Sequence, residues 1–431
     1  MVNKILGTAG TRVLNAIINL AVILLVTNFI GSEGYGIIGL VIVSVSIIQI
    51  FVDLLGGGTL IYFTSRKNHI SLLLLSYAWL IIVISVFAMG FSGFEYFFPE
   101  RYLEFIPAGQ KLNVLLLALI GGFMLTHYNI LIGLGKIKQY NIAFSIQLLS
   151  FISSFTYLLF MLERQDFGAY ITALTISYIV GLLCSLVVFK YMKKGSDLNT
   201  NKLIKEMLNF GFVSQLANGF HILNKRISFY FINFFTGLSS LGVYNAGVQL
   251  SEGLRLIGQS ISLVQFSEIS KSRDEQYAIS LTIKLMKLSV MLTFMGLLIL
   301  LIMPIEVYEY LFTKEFTGIK LIIIALSPGV LALAANTIFS HYFSGLGNPK
   351  ISLWGNIIGF IFTIVFAIVL IPVFGYAGAA LTSSISYSST VVYQYFVFKK
   401  NTGVIFRDWL PDKQDFTDFK KILSKLLNQS S

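Results

Sequence analysis

Apolar residues run in stretches of about 20 along almost the whole chain, separated by short polar or glycine-rich turns. A helix needs roughly 20 mostly apolar residues to cross a hydrocarbon core about 30 Å thick. The pattern predicts twelve spans, at about 8–30, 37–63, 70–92, 112–133, 141–162, 168–190, 209–235, 242–268, 281–303, 319–345, 351–372 and 376–398. No connection exceeds about 20 residues, which leaves no room for a separate soluble domain. The expected fold class is therefore an all-α polytopic membrane protein.

Polar positions break the pattern in two spans above all. Span seven carries Gln215, Asn218, His221 and Lys225 on one helical stripe, with Arg226 beside it. Span eight carries Asn245, Gln249, Glu252, Arg255, Gln259 and Ser262 at steps of three or four. A charge at the bilayer centre is costly unless it faces a cavity or a partner, so each is a functional candidate. Arg255 is 13 residues from the expected outer end at Gly242, about 20 Å along the helix. Lys225 is 16 residues from the expected inner end at Asn209, about 24 Å. The two would bracket the middle of the core as a ladder of positive charge.

The first half contributes less. Thr8, Arg12, Asn15 and Asn19 share a face of span one, with Arg12 near one mouth. Ser46, Gln49 and Asp53 follow in span two. Structural alternatives stand beside these readings. Glu252 and Arg255, one turn apart, can neutralise each other. Lys225 can snorkel to the headgroups. Asp53 can pair with Arg12 or a helix end. Arg226 points about 100° from Lys225, so at least one of them can serve packing. His127 and His341 read as structural, and His221 as a weaker proton-relay candidate.

Charge then orients the chain. With the N-terminus inside, 23 of the 31 Lys and Arg residues fall in cytoplasmic segments, 5 outside and 3 within spans. The positive-inside rule therefore places both termini in the cytoplasm, N-in and C-in. A net charge of +11 would suggest nucleic acid in a soluble protein. Here, with 56% hydrophobic and only 12% charged residues and a mean hydropathy of +0.80, it reads as topology and contact with membrane lipids, and no nucleic-acid partner is expected. The single cysteine, Cys184, lies in an apolar run and reads as filler. No cleavage site follows the first apolar run, which is expected to be an uncleaved first helix. After Lys400, Phe416, Phe419, Ile422, Leu423 and Leu426 recur at helical spacing between lysines, an expected amphipathic tail on the cytoplasmic face over 399–431.

The two halves resemble each other. Gly31-Ser-Glu-Gly-Tyr-Gly has a looser counterpart in Gly237-Leu-Ser-Ser-Leu-Gly, and Gly133-Leu-Gly-Lys one in Gly345-Leu-Gly-Asn. Phe167-Gly-Ala-Tyr-Ile-Thr-Ala-Leu-Thr matches Phe374-Gly-Tyr-Ala-Gly-Ala-Ala-Leu-Thr. Three motifs in order at nearly one offset imply two six-helix bundles, 1–190 and 209–398, joined by a cytoplasmic linker at 191–208. Six is even, so the bundles would be related by an axis along the membrane normal, with a substrate site between them and alternating access by rocking.

Other chemistry is absent from the sequence. There is no phosphate-binding Gly-x-x-x-x-Gly-Lys-Ser/Thr loop, no Cys/His cluster for a metal, and no outer loop with paired carboxylates or a nucleophile beside a base. The chain does not read as an enzyme or an ATP-driven motor, and no cofactor is expected. Polar faces on individual helices also argue against a channel ring.

The sequence resembles the Wzx-type oligosaccharide flippases of the multidrug/oligosaccharidyl-lipid/polysaccharide exporter superfamily, over about residues 5–400. The residues that carry the resemblance are Arg12 in the opening helix, Asn28-Phe-Ile-Gly-Ser-Glu-Gly-Tyr-Gly, Phe51-Val-Asp-Leu-Leu-Gly, Thr64-Ser-Arg, Gly133-Leu-Gly-Lys, Gly242-Val-Tyr-Asn-Ala, Gly345-Leu-Gly-Asn-Pro-Lys and Phe374-Gly-Tyr-Ala-Gly-Ala-Ala. Phe266-Ser-Glu-Ile-Ser departs from relatives that carry a proline there. The resemblance implies a multi-pass protein of the bacterial inner membrane that flips undecaprenyl-pyrophosphate-linked oligosaccharides. Glycan-assembly proteins would be its neighbours. Arg255 and one of Lys225 or Arg226 would then bind the anionic headgroup, with Arg12 at the entrance. Gln215, Asn218, Asn245, Gln249 and Gln259 would hold sugar hydroxyls, and Asp53 or Glu252 a coupling Na+ or H+. The alternatives are a cation-coupled multidrug exporter of the same fold and a membrane enzyme of glycan assembly. The first would need an acidic cavity, whereas these charges net positive.

Overall fold

The structure is a computed structural model and describes residues 2–64, 67–97, 106–107, 109–192, 200–271 and 274–409. Its main helices are α1 (Val2–Phe29), α2 (Gly31–Val52), α3 (Gly57–Thr64), α4 (His69–Phe97), α5 (Lys111–Gly133), α6 (Ile137–Phe160), α7 (Phe167–Ser185), α8 (Thr200–Glu252), α9 (Arg255–Lys271), α10 (Glu275–Ile302), α11 (Ile305–Phe312), α12 (Ile319–Gly345) and α13 (Lys350–Thr402). Among the described residues, nine helical stretches are long and apolar enough to cross a membrane. The fold is all-helical and polytopic, as the apolar pattern predicts. The expected amphipathic stretch at 416–426 lies outside the described residues.

Three expected boundaries differ. α8 starts at Thr200, so the end of the expected linker is helical, and Leu203 and Met207 are buried in a core cluster with Leu60, Phe63 and Leu131. Expected span two is not one helix: α2 stops at Val52 and α3 starts at Gly57. Expected span eight is interrupted at Gly253 and Leu254.

Two turns use the freedom of glycine. α1 passes into α2 through Gly31 at φ 80°, and the two legs of α8 meet at Gly237, φ 86°. A side chain in the left-handed region costs roughly 1–2 kcal/mol. These are the first glycines of the two repeated motifs, so the repeat is a repeat of turn geometry. α13 is likewise divided at Gly375, φ 56°, into legs that correspond to the last two expected spans.

Caps close other helices. The Asp166 carboxylate accepts from the Ala169 N–H at 2.7 Å at the start of α7. That of Asp274 accepts from Gln276 and Tyr277 N–H at 2.9 and 3.2 Å at the start of α10. Asp166 also meets Arg164 at 3.6 Å, both half-exposed, as a solvated turn would have it.

By packing, the chain divides into two compact units. The first is Met1–Ala246 with Glu309–Thr317, and the second is Gly247–Tyr308 with Gly318–Ser431. In the first, α5 lies against α3, α4 and α7, and α6 against α7. In the second, α12 is central, packed on α9, α10 and α13. Its core gathers Ile269, Met286, Phe339, Tyr342 and Phe398.

Candidate functional site

In the first unit the candidate residues gather at the break between α2 and α3. Asp53 closes α2, its N–H bonded to the Gln49 carbonyl at 2.9 Å. Its carboxyl group accepts from the Gly57 N–H. Backbone at membrane depth must find internal partners, and here side chains supply them. Trp79 Nε1 donates to the Phe51 carbonyl at 2.9 Å, Thr59 Oγ1 to that of Leu54 at 3.2 Å, and Ser76 Oγ to that of Leu55 at 2.8 Å.

The lower leg of α8 lies directly on this break. A Cβ at Gly211 would sit 1.9 Å from the Leu54 carbonyl oxygen. One at Gly57 would sit 3.0 Å from Asp53 Cγ and 3.1 Å from Gln215 Nε2. Gln215 is buried and accepts from Asn218 Nδ2 at 3.2 Å. Asp53, Gln215 and Asn218, expected from two separate spans, are therefore neighbours. A cavity of about 200 Å³, lined by Phe51, Leu54, Gln215 and Phe220 among others, adjoins them.

One turn and more along α8, Arg226 lies with its guanidinium carbon 5.2 Å from the Phe229 ring centre. Phe229 packs edge-on against Tyr244 at 5.6 Å. Asn245 is buried here, 3.1 Å from where a Cβ of Gly39 would be. Arg226 thus has an aromatic partner within its own unit; Lys225 and His221 are half-buried on the adjoining faces and have contacts of their own. Arg12 is on α1, but its side chain is outside the described set.

In the second unit the polar face of span eight is divided. Glu252 is the last residue of α8 and Arg255 the first of α9, with Gly253 and Leu254 between them. Glu252 accepts from the Tyr387 hydroxyl at 2.9 Å. With the Gln259 amide oxygen turned toward it, Arg255 donates from a terminal guanidinium nitrogen at 2.6 Å and from Nε at 3.0 Å. Gln249 is half-buried one turn before Glu252, and Ser262 Oγ donates to the Gln259 carbonyl at 3.0 Å. The expected continuous stripe from Asn245 to Ser262 is corrected accordingly: Asn245 packs in the first unit, and the helix breaks within the stripe.

Tyr387 was not among the expected site residues. It belongs to a buried polar row on α13 with Ser383, Ser386, Thr390 and Gln394. Its signal in the sequence is the run Ser383-Ser-Ile-Ser-Tyr-Ser-Ser-Thr inside an apolar span. The histidines have ordinary partners. His127 bonds Tyr77 through Nε2 and Ser185 through Nδ1, the latter at 2.7 Å, and His341 Nδ1 donates to the Thr337 carbonyl at 2.8 Å. Among the described residues no three His, Cys, Asp or Glu side chains form a set that could hold a metal ion.

Comparison with known proteins agrees with this architecture. The chain is 24% identical over 308 residues to an uncharacterized membrane protein of Methanocaldococcus jannaschii, covering 67% of this chain and 60% of that one. It is 23% identical over 237 residues to the probable low-salt glycan biosynthesis flippase Agl15 of Haloferax volcanii, covering 52% and 49%. The aligned part thus spans between about half and three-fifths of these relatives' lengths. Among solved structures, the lipid II flippase MurJ in an inward closed conformation superposes with a TM-score of 0.69 at 18% identity, covering 95% of this chain and 89% of that one. An inward-facing multidrug resistance MATE family transporter of the MOP superfamily gives 0.65 at 14%, covering 90% and 98%. The family described as lipid II flippase MurJ matches residues 111–424. With well over half its length matched, the chain belongs to the family described as lipid II flippase MurJ, a transporter family and not an enzyme family.

Proposed function

We propose that this protein flips a lipid-linked oligosaccharide with an anionic pyrophosphate linker between the leaflets of the cytoplasmic membrane. In a bacterial host the carrier would be undecaprenyl pyrophosphate, the Wzx-type activity that the sequence resembles. The observation that carries the reading is Arg255 in the first turn of α9, at the break in expected span eight, with its guanidinium on the Gln259 amide oxygen. A planar guanidinium is suited to a phosphate, two of whose oxygens it can meet at once. Family membership and a relative named as a glycan biosynthesis flippase support the same substrate class.

In this reading Arg255 and Lys225 bind the pyrophosphate. Arg226, resting on Phe229, is the secondary cation, and Arg12 guards the entrance. Gln215, Asn218, Asn245, Gln249 and Gln259 meet sugar hydroxyls, and Asp53 or Glu252 takes the coupling Na+ or H+. Lys225, Arg226 and Arg255 against Glu252 disfavour the export of cationic drugs.

The test is surface glycan in cells that depend on this protein. Arg255→Ala and Lys225→Ala should each abolish glycan export while the protein stays in the membrane. Arg255→Lys, which keeps the charge and loses the fork, should recover part of it. Normal glycan in both alanine variants would overturn the assignment.

A further inference from the structure

A groove on the second unit is separate from the candidate transport residues. It has a volume of about 840 Å³ and runs between α10, α12 and the last leg of α13, ending at Trp409. On α10 its lining extends from Lys287 past Met291, Phe294 and Met295 to Leu298. That is about 17 Å of helix, close to the 15 Å or so of one leaflet of hydrocarbon. Phe294 and Met295 are 47% and 44% exposed, so the groove opens sideways along its length.

One end differs from the rest. Trp409 stands there, its ring 5.5 Å from Phe339 and 5.3 Å from Phe398. Its indole Nε1 is shut off from solvent and, among the described residues, has no hydrogen-bond partner. Lys287 and the phenol of Tyr395 line the same groove. Lys399 and Lys400 lie in the last turn of α13, and Arg407 follows, exposed, two residues before Trp409. The one carboxylate in this turn, Asp408, accepts from the Ile405 N–H at 2.9 Å. A buried donor without a partner is costly, and Lys287 in the same groove favours an anion.

We propose that this groove is a binding site for an anionic membrane phospholipid. One hydrocarbon chain lies along α10 from Val290 to Leu298. The phosphate sits at the basic end, paired with Lys287, and a small turn of the Trp409 indole brings its shielded Nε1–H out to donate to it. Three features define this occupant: an apolar trough one leaflet long, methionines that adapt to a flexible chain, and donors with cations at one end only. A bound lipid would tie α10 to α13 and to the turn that carries Trp409. None of this depends on the transport reading.

The test is native mass spectrometry of the full chain released from detergent or nanodiscs containing phosphatidylglycerol or phosphatidylcholine with identical chains. One phosphatidylglycerol should be retained under activation that strips phosphatidylcholine. Lys287→Gln should reduce that preference about fivefold, and Trp409→Phe, which keeps the ring and loses the donor, several-fold. Met291→Trp, which fills the trough, should displace both lipids. Should Met291→Trp fold poorly, the two milder variants still decide. Equal retention of the two lipids, or an undiminished preference in the Lys287→Gln/Trp409→Phe double variant, would overturn the proposal. So would stronger retention of a polyprenyl phosphate than of phosphatidylglycerol, since that occupant is a different lipid.

Discussion

The repeat has a physical signature in the first unit that a pair of methyl groups can test. A Cβ at Gly36 would lie 2.1 Å from the Leu238 carbonyl oxygen, and one at Gly242 would lie 1.8 Å from that of Ser32. Gly36 and Gly242 are repeat-related, and so are Ser32 and Leu238. The contact is therefore reciprocal, as across a two-fold axis. Ordinary contact starts at 3.4 Å, so alanine would have to part the backbones by about 1.3 Å at Gly36 and about 1.6 Å at Gly242. Overpacking of this kind costs about 1–3 kcal/mol, offset by up to about 1 kcal/mol of helix propensity. A net loss of about 1–2 kcal/mol is expected for the first substitution and less for the second, because both open one contact. The readout is a disulfide between Ser32→Cys and Ser239→Cys, whose hydroxyl oxygens are 2.7 Å apart, in a Cys184→Ser background. The parent should cross-link readily, and Gly36→Ala should slow the reaction about tenfold. Gly90→Ala is the control, because nothing lies within 4 Å of a Cβ there. Unchanged cross-linking and melting temperature in Gly36→Ala/Gly242→Ala would refute the reasoning.

Three shorter expectations come from other contacts. Ser185 Oγ donates to the Leu182 carbonyl at 2.6 Å, so it accepts from His127 Nδ1–H. Ser185→Ala should strand that buried N–H and lower stability by about 1–3 kcal/mol in a thermal melt, with Ser185→Thr milder. Glu315 accepts from the Ser32 N–H at 2.9 Å in the first turn of α2, so Glu315→Ala should cost about 1 kcal/mol by the same measurement. The Lys67–Glu206 pair at 2.9 Å is about one-third exposed on the side chains, and Lys67→Met should change stability by less than about 1 kcal/mol.

What was legible in the sequence is local. A glycine at a turn announces itself, which is why Gly31 and Gly237 mark both the repeat and the left-handed corners. The spans are legible because lipid demands about 20 apolar residues from every crossing helix. The helix breaks were not. Gly56-Gly-Gly was the available signal for the first, yet α2 and α3 separate only because Trp79, Thr59 and Ser76 take up the released carbonyls. Two of those three come from another helix, so no local pattern reports them. The break at Gly253 hides for another reason. Steps of three and four continue from Gln249 through Glu252 and Arg255 to Gln259, so the polar periodicity gives no sign of it. Tyr387 meets Glu252 across 135 residues of chain, and no spacing rule reaches that far.

Helix ends separate the carboxylates by the work they do. Glu315 meets the N-terminal turn of α2, where the helix dipole favours a negative charge, and its role is structural. Asp53 and Glu252 stand at the C-terminal ends of α2 and α8, where the same dipole opposes them. Neither gains from the dipole of its own helix, and each accepts from a neutral donor, Gly57 N–H for Asp53 and Tyr387 Oη–H for Glu252. A negative group at the negative end of a helix in an apolar medium attracts a cation or a proton. Glu252→Gln is the discriminating change, since glutamine keeps an acceptor for Tyr387 and removes only the charge. If Glu252 serves ion coupling, Glu252→Gln should leave the melting temperature level or raise it by a few degrees, while glycan export loses its dependence on the ion gradient. A fall in melting temperature with export still gradient-dependent would make Glu252 a structural anchor for Tyr387 and leave Asp53 as the remaining carboxylate for the coupling ion.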